Sequence, residues 1–146
     1  MRNIKKITFL LLLLMTSCLN DYEKEVIGEY KVYEYETLNG QPLSENELPF
    51  FTLKNNKTFL IRYKNDDIEG SWEINDYGDF TLFEMFVNRT NFVQSRTFTN
   101  DIIDFENFQR KIFKGRFSKI SFIKVNSSNY SLSPKQIIVT PKDTTW

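Results

Sequence analysis

The 146-residue chain carries 19 basic and 19 acidic side chains, a net charge of zero, and no histidine. Evenly mixed charge lacks the concentrated basic face that nucleic acid requires, and without imidazole the chain has lost the commonest zinc ligand and the commonest acid–base catalyst. A single cysteine, Cys18, excludes an internal disulfide, and neither a Ser–His nor a Cys–His nucleophile pair can be built.

The chain opens on a short basic stretch, Arg2, Lys5 and Lys6, and an apolar run from Ile7 to Met15 broken only by Thr8. That run is far shorter than the roughly 20 apolar residues needed to cross a bilayer. It fits the apolar region of a secretory signal, typically about 7–15 residues behind a positive start. Five consecutive leucines with no polar face argue against a buried helix of a soluble domain. The order Met15-Thr16-Ser17-Cys18 resembles the lipobox of bacterial lipoproteins, an apolar residue and two small ones before a cysteine. The resemblance implies cleavage after Ser17 and diacylglycerol on the Cys18 sulfur, with palmitate-type acyl chains as the anchor. It also implies a place in the bacterial cell envelope, as an outer-membrane lipoprotein on the periplasmic or the surface face. An ordinary signal peptide with a cysteine near its cut site is the alternative. Each buried methylene contributes about 0.8 kcal/mol, so one acyl chain binds marginally and two or more hold firmly. The expected division is a signal peptide over 1–17, a lipidated tether over 18–25 and one domain over 26–146. Without residues 1–17, which hold three cations and no anion, 129 residues remain with 16 basic and 19 acidic side chains, a net charge of −3.

The domain reads as strands. In "VIGEYKVYEY", Val26, Gly28, Tyr30 and Val32 alternate with polar residues, and past Val32 the apolar set becomes Tyr33 and Tyr35. A β-bulge near Val32–Tyr33 would make that switch. Asn39–Gly40 marks a turn, and "QPLSENELP" reads as a loop. "FFTLKNNKTFLIRY" is a hairpin: Phe51 and Leu53 alternate before Asn55–Asn56–Lys57, and Phe59, Ile61 and Tyr63 after it, with asparagine tolerating the positive φ of the turn. "KNDD" ends that strand. In "IEGSWEIN", Ile68, Gly70, Trp72 and Ile74 share one face. "DYGD" turns, and "FTLFEMFV" is apolar on both faces with Glu84 its only charge, as a central or strongly curved strand would be. Between Asn100 and Gly115, Ile102, Phe105, Phe108 and Ile112 share a helical face behind a potential Asn100 cap, and a short helix is expected, although "DIIDFENF" also accommodates a strand. "RFSKISFIKV" and "KQIIVT" are strands joined by an Asn/Ser-rich turn.

Seven or eight short strands predict an all-β domain with one short helix, a small antiparallel up-and-down β-barrel. The order "GEY … FFTLKNNKTF … GSWEI … FTLF", over residues 26–87, resembles the lipocalin-like domains of small bacterial lipoproteins. There, a Gly-x-Trp strand precedes an F-x-x-D-G-T-F hairpin and a second G-T-W strand. Here Tyr30 replaces the first tryptophan, and Asn-Lys stands where Asp-Gly is common. The resemblance implies a barrel that binds a small apolar or amphipathic ligand near the membrane. A hollow barrel would be lined by Tyr30, Phe59, Ile61 and Trp72. A barrel filled by its own aromatics would instead recognise a protein partner through its surface, as an inhibitor, protective or assembly lipoprotein does. Apart from any such role, a glycine two residues before a large aromatic lets one backbone approach closely while the ring plugs the core, and this is the first reading of Trp72.

No enzyme activity, metal or cofactor is expected. Asp66–Asp67 reads as a solvated turn, Asp101 and Asp104 as acids of a helix first turn, and Asn75–Asp79 as a turn without the spacing of a calcium loop. Trp146 raises the option of an outer-membrane barrel, but Pro134 and Pro141 interrupt the last stretch, which does not alternate as a lipid-facing strand would.

Overall fold

The computed structural model describes residues 21–95, 101–105, 113–126 and 128–138. The lipobox-like stretch with Cys18, the expected cap Asn100, residues 106–112 and Trp146 lie outside the described residues. Helix α1 (Asp21–Val26) leads into β1 (Gly28–Thr37), β2 (Phe50–Leu53), β3 (Thr58–Tyr63), β4 (Asp66–Asp76), β5 (Thr81–Val87), β6 (Thr90–Ser95), β7 (Ile102–Asp104), β8 (Phe117–Lys124) and β9 (Lys135–Gln136). The strands form one sheet in the order β6-β5-β4-β3-β2-β1-β8-β7. All these pairings are antiparallel, and only β9, which runs parallel beside β1, departs from the pattern.

The sheet has to curl. Ser95 ends β6 at one side of the strand order and Ile102 begins β7 at the other. Seven residue steps reach at most about 25 Å, whereas eight flat strands at about 4.8 Å spacing would put those edges about 34 Å apart. Curling turns the apolar faces inward, and the result is the barrel-like, all-β fold that the alternation predicts. Side chains alternate apolar-in and polar-out, as in β4, where Trp72 and Ile74 are buried while Glu69 and Ser71 are exposed.

Within β1 the expected bulge is present: the register against β8 slips between Val32 and Glu34. Tyr30 and Val32 are buried before it, Tyr35 and Thr37 after it, and Tyr33 is the partly exposed residue of the bulge. The β2–β3 turn differs in detail. Lys57, not an asparagine, takes the positive φ of 60°. Asn56 acts through its side chain instead, its Oδ1 accepting from the Thr58 amide at 3.2 Å. The "QPLSENELP" loop contains a 3-10 turn over Glu45–Glu47, capped by Ser44, whose amide donates to Glu47 Oε2 at 3.1 Å. β6 is a strand beyond those expected from the sequence; its hairpin with β5 turns at Asn88–Arg89, both at positive φ, the two-residue geometry that suits strand twist.

The helix expected between residues 100 and 115 is corrected where the structure describes it. Ile102–Asp104 pairs with β8, Ile102 opposite Ile123 and Asp104 opposite Ser121. Ile103 and Phe105 are the buried residues, a period of two rather than the three-residue spacing of Ile102 and Phe105. Pairing with β8 rewards a β-branched pair that a helix would not.

The core is aromatic. Tyr30 stacks on Phe51 with centroids 4.6 Å apart and planes 2° from parallel, Phe122 meets Phe51 edge-on at 4.7 Å, and Phe105 lies 4.6 Å from Phe122. Toward the other end, Phe113 stands edge-on between Tyr63 and Phe117, at 5.4 and 5.5 Å. Gly70 meets the close approach expected of it: a Cβ there would fall 2.0 Å from the Phe86 carbonyl and 2.7 Å from the Phe59 ring.

Candidate functional site

The four residues expected to line a ligand cavity do come together, and they come together as core. Tyr30, Phe59, Ile61 and Trp72 are each at most 2% exposed. Trp72 packs against Phe83 at 6.3 Å and its indole N–H donates to the Lys54 carbonyl at 3.1 Å. The Tyr30 hydroxyl donates to the Val26 carbonyl at 2.7 Å. A buried Tyr or Trp normally satisfies its polar tip in this way, so these rings have partners within the protein itself. Burial, with the charge of Asp101 adding to it, pushes the Tyr30 phenol far above its ordinary range.

One cleft lies on the opposite, outer face. It holds about 560 Å³ and is lined by Glu29 and Lys31 of β1, Leu48 and Phe50 leading into β2, and Tyr130 and Leu132 of the segment after β8. Lys31 sets its wall: its ammonium donates to the Tyr130 and Leu132 carbonyls at 2.7 and 2.8 Å, holding that segment over the sheet. Glu47, between the lining residues Glu45 and Leu48, pairs with Arg116 at 2.9 Å. The Ser44 amide and hydroxyl, and then Arg116, hold the Glu47 carboxyl below its ordinary range. None of the four core residues lines this cleft. A second, polar cleft of about 340 Å³ lies beside Gly70, where Phe59 meets Lys54, Glu69 and Asn88.

A third feature is the buried carboxylate of Glu84, 7% exposed on the side of β5 away from the core. Asn91 and Gln94 donate to its Oε1 at 2.8 and 3.1 Å, and Asn75 donates to its Oε2 at 2.8 Å. Asn75 also reaches Glu73 at 2.8 Å, and Glu73 stands directly opposite Glu84 in the ladder. Carboxamides thus bridge two like charges that would otherwise repel across the strand pair. The sequence marks Glu84 as the only charge in an apolar run; its partners come from β4 and β6 and depend on register.

The acidic pairs stay apart from any cleft chemistry. Asp66 and Asp67 prove to be the first residues of β4, because the turn is Lys64–Asn65, with Lys64 at φ 57°. Asp66 lies 3.1 Å from Lys114 and Asp67 3.9 Å from Arg62, all more than half exposed. Asp101 is a turn residue at φ 64° and Asp104 lies in β7. In "NDYGD", Asp76 accepts from the Gly78 amide at 2.9 Å, as a turn acid does. Among the described residues, no three His, Cys, Asp or Glu side chains gather as metal ligands, and no helix is long and apolar enough to cross a membrane. No protein-family model, curated protein or solved structure matches the chain.

Proposed function

We propose that this protein is a lipoprotein of the bacterial cell envelope, anchored through acylated Cys18, whose lipocalin-like barrel recognises a protein partner through its outer surface. The anchor rests on the lipobox order Met15-Thr16-Ser17-Cys18. The choice of surface over interior rests on one observation: Tyr30, Phe59, Ile61 and Trp72, the residues a hollow barrel would offer a ligand, are buried against other side chains of the same core. The outer cleft offers a recognition site among the described residues. Leu48, Phe50 and Leu132 give it an apolar floor, and Glu29 and Lys31 a charged rim, a mixture suited to a short extended protein segment. The role is binding, not catalysis.

The competing reading, an apolar ligand inside the barrel, is separated by titrating the purified protein with a fluorescent naphthylamine or fatty-acid probe, after extracting lipids for mass spectrometry. The packed barrel gives no saturable binding at micromolar probe, a level that corresponds to about 8 kcal/mol, and yields no lipid in stoichiometric amount beyond the covalent acyl chains. Saturable binding accompanied by a change in tryptophan emission would restore the interior-ligand reading.

A further inference from the structure

The exposed aromatic side chains are unevenly placed. Among the described residues, Tyr22, Tyr77, Phe80 and Tyr130 are exposed by 60, 56, 38 and 77%. Strand direction puts them all at one end of the barrel. Gly28 begins β1, and the register Gly28–Leu53–Phe59–Gly70 runs across β1 to β4 at that level. Helix α1 with Tyr22 precedes Gly28. β4 continues from Gly70 to Asp76 in the same direction, past the start of β3, and its hairpin with β5 carries Tyr77 and Phe80 at the tip, stacked at 5.2 Å. β8 also ends there, with Lys124 opposite Tyr30, and the following turn carries Tyr130. The exposed aliphatic residues lie elsewhere: Leu38 past the other end of β1, Ile138 after β9, which runs parallel to β1 toward that same end, and Leu132 in the outer cleft.

This is the end from which the chain leads back to Cys18. Only Leu19 and Asn20 separate that cysteine from Asp21, the first residue of α1. Three residue steps span at most about 11 Å, against about 5–8 Å for one headgroup layer. α1 is no loose leash, either. Glu23 and Val26 are buried, Lys57 pairs with Glu23 at 2.7 Å, and Lys124 donates to the Glu25 carbonyl at 2.7 Å. An anchor at Cys18 therefore brings the whole barrel end to the bilayer.

We infer that this end rests on the membrane, with Tyr22 and the Tyr77–Phe80 tip seated among uncharged or zwitterionic phospholipid headgroups. Aromatic rings with one apolar face favour that layer. The exposed acids Asp21, Glu25, Asp76 and Asp79 stand there among the exposed cations Lys24, Lys54 and Lys57, so this end has no basic face of the kind that selects anionic lipid. The inference rests on the Cys18 anchor. It leaves the opposite end, about 30 Å away along the ten-residue β1, pointing into the aqueous space.

The test uses the full chain, purified in lipidated form and reconstituted into phosphatidylcholine vesicles. An environment-sensitive fluorophore is placed at Asp79→Cys, or at Asn39→Cys on the far end, and quenched by lipids carrying a nitroxide in the headgroup. The expected result is quenching at position 79 at least about threefold stronger than at position 39, given the separation along the strand. Adding Tyr77→Ser and Phe80→Ser should reduce it while the protein still floats with the vesicles. Flotation with equal quenching at both positions overturns the docking and leaves the anchor standing. Failure of the protein to float overturns the anchor and the docking with it.

Discussion

Lys57 Nζ sits 2.7 Å from Glu23 Oε1, and the Glu23 side chain is 6% exposed while that of Lys57 is 45% exposed. A lysine from the β2–β3 turn thus closes over an acid of α1 and fixes the six-residue helix to the sheet. A helix that short is unstable in isolation, so its order comes from this contact, from buried Val26 and from the Tyr30 hydroxyl on the Val26 carbonyl. Lys57→Ala removes the ammonium that closes over a nearly buried carboxylate. The half-exposed lysine moderates the loss, and the expected cost is about 1–3 kcal/mol. Urea denaturation of Lys57→Ala, Glu23→Gln and the double variant measures it; the double variant should recover part of the loss, and strictly additive effects would show that the two groups do not couple.

Trp72 fills the core between Phe83 and the β2–β3 turn, and its N–H is satisfied by Lys54. Trp72→Ala should lower stability by about 3–5 kcal/mol, the usual cost of deleting a large core aromatic. A urea midpoint equal to that of the parent protein would mean that the indole is not packed as described.

The raised Tyr30 phenol links stability to alkaline pH. An unfolded phenol ionises near about pH 10, whereas the folded one resists because of burial and then the Asp101 charge. The unfolded state therefore loses its proton first, and this contribution is present below about pH 10 and lost as the pH rises from there toward the folded value. Tyr30→Phe forfeits the hydrogen bond to Val26, about 1 kcal/mol near neutrality. The gap between variant and parent should shrink between pH 9 and 11 (roughly the range of phenol titration) in urea midpoints. A gap independent of pH would contradict the assignment.

Glu84 accepts three carboxamide donors, two on Oε1 and one on Oε2. Glu84→Gln replaces an acceptor-only group by one that carries its own donors, so at least one of these bonds is lost along with the charge that strengthens the rest. The expected cost is about 1–3 kcal/mol. Unchanged thermal and urea stability would show that the network is idle.

Legibility in the sequence followed period and chemistry. Tyr30, Val32, Trp72 and Ile74 could be placed inward because alternation of period two is unambiguous there, and the β1 bulge announced itself as a phase change at Tyr33. Gly70 beside Trp72 signalled close backbone approach, which the Phe86 carbonyl supplies. What stayed hidden depends on long-range register. The Ile102–Asp104 strand lost to a helical pattern because only its pairing with β8 selects the extended form. The outer cleft joins Lys31 to carbonyls about a hundred residues away, a relation that no local spacing encodes. The same is true of Glu84 and its carboxamides.

Acylation of Cys18 is the proposal on which the anchor, the envelope location and the orientation of the barrel all rest. The most direct measurement is metabolic labelling of bacteria expressing the full chain with a clickable fatty acid, followed by mass spectrometry of the N-terminal peptide. The account predicts label on the parent protein, a mature N-terminus at Cys18 bearing diacylglycerol on sulfur, and no label on Cys18→Ser. A parent protein without label, or label retained by Cys18→Ser, would contradict it.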